Sequence, residues 1–89
     1  MLEIRAARTD EAAALAAVQE LASLAALAHI FPPERYPYPR DAVEARWAAA
    51  VVGSETRTLI AVDWEQPVGA ACVADGWLEG LYVVPERWG

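Results

Sequence analysis

At Gly53 the chain changes its hydrophobic rhythm, from the three- and four-residue spacing of helices to runs of β-branched and small apolar residues. That switch constrains the fold more than any other feature, because a segment patterned for one period does not settle into the other. Three stretches follow it: Thr56 to Asp63 (TRTLIAVD), Val68 to Ala74 (VGAACVA) and Trp77 to Val84 (WLEGLYVV). Trp64-Glu65-Gln66-Pro67 turns the chain between the first two. Asp75-Gly76, a signal for tight two-residue hairpins, turns it between the last two. Connections this short leave antiparallel pairing as the available arrangement.

Upstream of Gly53 the pattern is helical, with one strand in front. Residues 2–7 (LEIRAA) alternate Leu2, Ile4 and Ala6 against Glu3 and Arg5, which predicts a half-buried strand. Thr9-Asp10-Glu11 offers capping groups and acidic charge at a helix start. Leu15, Val18, Leu21, Ala22 and Ala25, widened by Leu24 and Leu27, predict a helix over about 10–29 with a broad buried face. Residues 31–39 (FPPERYPYP) hold four of the six prolines and three aromatics, so no regular element survives there. A second helix is expected from about Pro39 to Val52, with Val43, Trp47, Ala50 and Val51 inward and Gly53 at its stop. The order is β-α-α-β-β-β.

Eighty-nine residues form one domain or part of one, and a composition 56% hydrophobic and 22% charged is that of a globular protein. The net charge is −6, every one of the seven basic residues is Arg, and none of them cluster. Phosphate backbones and anionic lipid need grouped cations, so neither nucleic acid nor membrane is an expected partner. Ala12 to Ile30 is interrupted by Gln19, Glu20, Ser23 and His29, and acidic residues precede it, which fits neither a signal peptide nor a membrane span. The single Cys72 excludes an internal disulfide and suits a reducing, cytoplasmic setting; it lies in an apolar run and reads as a small core residue. One His and one Cys cannot build a metal site. Ser23 and Ser54 have no His or acid at triad spacing. His29, at the end of the first helix, suits a donor to the last carbonyls. Trp47 and Trp64 read as core and hairpin packing.

Three segments in this order carry a resemblance: IRAARTDEAAALAAV, TLIAVDWEQPVGAACV and, most specifically, WLEGLYVVPERWG. Together they resemble the N-terminal half of a GNAT-type N-acetyltransferase, in the acyl-CoA N-acyltransferase superfamily. The resemblance implies a mixed α/β (α+β) fold with a largely antiparallel sheet. Residues 1–89 would be the N-terminal portion of one such domain, ending before its pyrophosphate loop and lacking its C-terminal half.

The resemblance also implies chemistry. The backbone of Leu81, Tyr82 and Val83 would hydrogen-bond the pantetheine arm of acetyl-CoA as an added strand does. Trp88 and Gly89 would begin the turn whose N–H groups hold the pyrophosphate, Trp88 departing from the usual Arg or Gln. The position that favours a catalytic Glu aligns with Trp77, which cannot act as a base. Glu79, two residues on and expected on the same face, would take the amine's proton through water, unless it is simply a solvent-facing edge carboxylate. Phe31, Tyr36 and Tyr38 would border an acceptor pocket with Trp77; the three loop rings equally suit a cap over the helices' own apolar faces. Two functions stay open. One is acetyl transfer from acetyl-CoA to a small or protein-borne primary amine, with these 89 residues alone expected to be inactive. The other is a non-catalytic module that forms a homodimer or pairs with a partner through its exposed fourth strand.

Overall fold

The computed structural model describes residues 1–88. The chain runs β1 (Leu2–Ala6), α1 (Ala12–Leu27), α2 (Arg40–Val52), β2 (Thr56–Asp63), β3 (Gln66–Ala74) and β4 (Trp77–Val83). Short 3-10 turns at Thr9–Glu11 and Pro85–Arg87 complete it. The four strands form one antiparallel sheet in the order β1-β2-β3-β4. Both hairpin partners are therefore sequence neighbours, as the short spacers required, and the mixed α/β class with a largely antiparallel sheet is as expected.

Both helices cover the same face of the sheet. Ala12, Leu15, Ala16 and Val18 of α1, with Val43 and Trp47 of α2, bury themselves against Ile60, Val68, Ala70 and Val84. The helical period accounts for Leu15, Val18, Ala22, Val43 and Trp47, but the buried face of α1 is narrower than expected, with Leu21, Ala25 and Leu27 exposed. Side chains also tie the two helices to each other. Trp47 Nε1–H donates to Gln19 Oε1 at 2.8 Å, and the Arg40 guanidinium meets Glu20 at 2.8 Å and the Ala13 carbonyl at 3.1 Å. Cys72 is half-buried against this core, a free thiol in the place a small apolar residue would take.

The first helix departs from the sequence expectation at both ends. Thr9–Glu11 is a 3-10 turn, and of the three residues offered for capping only Glu11 acts, on that turn rather than on α1. Its carboxylate accepts the Arg8 backbone N–H at 2.7 Å and N–H groups from both terminal nitrogens of Arg5 at 2.8 Å. These contacts, the Arg5 hydrogen bonds foremost, hold the Glu11 carboxyl at about 2. At the far end the helix stops at Leu27, and the backbone N–H groups of Ala28, Ile30 and Phe31 satisfy its last carbonyls. His29 lies exposed beyond that stop and does not take the capping part expected of it.

Further corrections concern the strands. Leu2, Ile4 and Ala6 of β1 were expected to face inward, but all three are exposed while Arg5 is half-buried. The register sets Ile4 across from Ala61 and Arg5 across from Ile60, so β1 turns its apolar side away from the helices. Trp64 packs against little: it sits 80% exposed in the β2–β3 turn, where both Trp64 (φ 52°) and Glu65 (φ 68°) are left-handed. The turn is thus a two-residue loop, and β3 begins at Gln66, earlier than Val68.

Two bulges interrupt the ladders. Val62 pairs with Pro67 and Ala61 with Gly69, which leaves Val68 as the extra residue in β3. Leu78 pairs with Val73 and Gly80 with Cys72, which leaves Glu79 as the extra residue in β4. A bulge bends its strand and re-aims the side chains around it.

Candidate functional site

The site forms where β4, the last strand of the sheet, passes the open side of the helix layer. One edge of β4 pairs with β3, and its other edge faces no strand among the described residues. Against that edge lies a groove of about 420 Å³, lined by Ala22, Ser23, Ala26 and Leu27 of α1 and by Leu81, Tyr82, Val83 and Trp88. Small residues on α1 are what open this space, since each Ala leaves room a longer side chain would fill. The four residues named from the sequence for pantetheine and its turn thus share one groove. Gly89, the fifth, lies outside the described residues.

The groove is partly self-satisfied. The Trp88 indole N–H donates to the Val83 carbonyl at 2.7 Å, so one acceptor on the strand is already engaged. The backbone N–H groups of Arg87 and Trp88 donate to Val84 and Pro85 within the terminal 3-10 turn. They do not stand as the free donors that a phosphate-binding turn requires. Arg87 itself is held at 2.8 Å by Asp63, whose carboxyl the pairing with Arg87 keeps below its ordinary range.

A second cavity, of about 290 Å³, adjoins the first at Tyr82. Gln19 from α1, Arg46, Trp47 and Ala50 from α2, Cys72 from β3, and Glu79, Gly80 and Tyr82 from β4 line it. The rings of Trp47 and Tyr82 meet edge to face, 6.2 Å apart at 78°. Glu79 lines this space as the extra residue of the β4 bulge. Gly80 keeps the cavity open at its floor, because a Cβ there would come within 3.2 Å of the Tyr82 ring.

The aromatic loop goes elsewhere. Phe31, Tyr36 and Tyr38 gather with Ser23, Leu24, Leu27 and Ala28 around a smaller space of about 200 Å³ at the end of α1. Phe31 and Tyr36 stack edge to face at 5.5 Å. The Tyr38 hydroxyl is buried without a hydrogen-bond partner among the described residues, and burial pushes its phenol up. Ser23 lines both this space and the β4 groove, so the loop borders the groove rather than the Glu79 cavity. Trp77 lies apart from all of these, 76% exposed beside the Asp75-Gly76 turn.

Sequence reasoning passed over Arg46 and Gln19, and assigned Trp47 to the core alone. Trp47 is in the core, at 6% exposure, but its ring also walls the cavity. Arg46 gave no signal, since a single arginine on an exposed helix position is ordinary. Among the described residues no group of three or more His, Cys, Asp or Glu could hold a metal ion, and no helix is long and apolar enough to cross a membrane.

An antiparallel sheet with two helices on one face, its last strand bulged and free along one edge, is the architecture of the N-terminal half of GNAT-type acetyltransferases. No family model and no curated protein matches the sequence, but solved structures match the fold. The GCN5-related N-acetyltransferase described as a class-II aminotransferase from Rhodopseudomonas palustris superposes with a TM-score of 0.74 at 29% identity, over 98% of this chain and 55% of that one. PaiA N-acetyltransferase from Thermoplasma acidophilum, in complex with coenzyme A, gives 0.72 at 18% identity, over 98% and 61%. A possible acetyltransferase from Clostridium difficile 630 gives 0.69 at 16%, over 98% and 60%. The chain therefore spans little more than half the length of these structures, consistent with an N-terminal half, and the resemblance read from its sequence holds in three dimensions.

Proposed function

We propose that residues 1–89 are the N-terminal portion of an N-acetyltransferase domain that transfers an acetyl group from acetyl-CoA to a primary amine. The observation that carries this is the junction at Tyr82, where an apolar groove along a free strand edge meets a cavity holding a carboxylate. An acyl donor and an amine need adjoining sites of these two kinds. The coenzyme A complex of the Thermoplasma neighbour supports the choice of donor. A cytoplasmic setting accords with the unpaired Cys72.

In this reading Leu81, Tyr82 and Val83 hold the pantetheine arm by main-chain hydrogen bonds, with α1 as the opposite wall. The Trp88 indole must release the Val83 carbonyl for the arm to take its place. The thioester supplies an activated acetyl carbon, which the amine nitrogen attacks as the carbon–sulfur bond breaks and the thiolate leaves. Glu79 accepts the amine's proton through water, and Gly80 and Tyr82 shape the space in which the amine waits.

Acetyl-pantetheine is the probe that needs only the groove. Its titration into the protein, followed by amide NMR, is expected to shift Leu81–Val83 and the Trp88 indole. Ala26→Phe, which fills the groove from an exposed helix position, is expected to abolish those shifts. Unmoved amides at saturating probe overturn the groove assignment.

A second reading, a non-catalytic module that self-associates through β4, is favoured by the apolar side chains exposed there. Leu78 is 58% and Leu81 61% exposed. A dimer joined along that edge would occupy the pantetheine position. Micromolar binding of acetyl-CoA by calorimetry, at a concentration where the protein is a dimer, would exclude it.

A further inference from the structure

The Glu79 cavity holds one anion and one cation that are not paired with each other or with anything else described. Arg46 of α2 and Glu79 of the β4 bulge, both exposed residues, line the same 290 Å³ space from opposite elements. The salt bridges of the described residues use Arg5, Arg8, Arg40 and Arg87, each with an acidic partner, and include neither Arg46 nor Glu79. Opposite charges facing one cavity without closing on each other keep their full capacity for a ligand. No other charged side chain lines the space.

The walls are built to hold something small. Trp47 is fixed by its hydrogen bond to Gln19 Oε1, which also turns the Gln19 amide NH₂ away from that bond and leaves it able to donate. Tyr82 stands against Trp47, and the ring passes so close to Gly80 that a Cβ there would lie 3.2 Å from it. A flat aromatic corner with a guanidinium on one element and a carboxylate on another matches a short molecule charged at both ends.

From this we infer that the acceptor is an amine that also carries a carboxylate. The ammonium or amine end lies at Glu79, the carboxylate takes the planar donor fork of Arg46, and the carbon skeleton lies on Trp47 and Tyr82. The inference rests on the cavity being the acceptor site, and it narrows the amine to a zwitterionic class. A plain polyamine would leave Arg46 facing a second positive charge, which costs affinity.

The test is binding without acetyl-CoA, so that a failure of acetyl transfer and a failure of this inference stay distinct. The probes are unbranched ω-amino acids from glycine to 6-aminohexanoate, each against the alkylamine and the carboxylic acid of the same chain length. The readout is the indole N–H of Trp47, assigned by loss of its signal in Trp47→Phe, with the exposed Trp64 and Trp77 as internal references. At least one amino acid is expected to move Trp47 alone and to bind about tenfold tighter than its amine or acid counterpart, the scale of one charged hydrogen bond. Arg46→Gln, at an exposed position, is expected to remove the preference over the amine, while Arg57→Gln leaves it intact. Equal binding of the amine, or no movement of Trp47 with any amino acid, overturns the inference. So does an Arg46→Gln protein that still prefers the amino acid.

Discussion

The two faces of the sheet carry similar apolar residues and have opposite surroundings. Ile60, Val68 and Ala70 face the helices and are buried. On the other side Ile4, Leu59, Ala61, Gly69, Ala71, Leu81 and Val83 line a groove of about 290 Å³, which Ile60 and Ala70 also border. Ile4 is 66% and Leu2 56% exposed there. Alternation along a strand says that two faces differ, but in a sheet apolar on both sides it does not say which one the helices take. The local geometry of β1 shows what decides. Arg5 is drawn to the helix side by the Glu11 carboxylate, and Leu2 and Ile4 necessarily take the side left over.

The sharpest way to break this comparison is to cut one side chain on each face. Leu15→Ala opens a cavity in the core and is expected to lower unfolding free energy by about 2–5 kcal/mol. Ile4→Ser, on the bare face, is expected to fall within about 0.5 kcal/mol of wild type. Urea denaturation of the two variants decides it. An Ile4→Ser loss comparable to that of Leu15→Ala would mean that the second face is covered in solution.

Trp47 tests how far the helix layer depends on a polar tie. Trp47→Phe keeps the ring in the core and removes the donor to Gln19, and is expected to cost about 1–2 kcal/mol. Gln19→Ala added to Trp47→Phe is expected to cost less than in the wild type, because the two side chains share one bond. A fully additive pair in a denaturant double-mutant cycle would show that the contact contributes nothing.

Much of the fold was legible, and what was missed shares a physical cause. Strand and helix periods, the Asp75-Gly76 turn and the motif WLEGLYVVPERWG depend on near neighbours, so the sequence displays them directly. They led to the element order, the antiparallel sheet and the gathering of Leu81, Tyr82, Val83 and Trp88. The bulge at Glu79, the covered face of β1 and the joining of Arg46 to Glu79 depend on register and on packing between distant segments. Trp77 shows the consequence: it stands exposed beside the Asp75-Gly76 turn and does not line the cavity that Glu79 lines.

The Arg5–Glu11 pair sharpens the account of β1 through pH. Glu11 sits at about 2 in the folded protein, below the ordinary carboxylate value of 4.5. A carboxyl depressed by folding contributes stability that is complete above about pH 4.5 and is lost as pH falls toward 2. Because solvent screens the pair, the contribution is expected to be small. Glu11→Gln should show a flatter stability profile over that interval than the wild type, measured by urea denaturation at each pH. Parallel profiles would remove the pair as the reason β1 is turned over.

The smallest effect separates the two hairpins, which solve one backbone problem with different residues. Both loops have two central residues at positive φ, as tight hairpins require: Trp64 and Glu65 in one, Asp75 and Gly76 in the other. Only the second has a glycine, at φ 77°, where a Cβ would meet nothing yet the backbone itself disfavours one. The first places two side-chain-bearing residues in a region that costs each of them about 1–2 kcal/mol. Glu65→Gly therefore relieves strain, offset by the greater freedom glycine gains when unfolded, for a net gain of about 0.5–1 kcal/mol. Gly76→Ala should lose about the same, and thermal melts of the two variants read both signs. If Glu65→Gly destabilises instead, the Trp64-Glu65 loop is held by something beyond its own backbone, and the exposed Trp64 ring would be the first place to look for it.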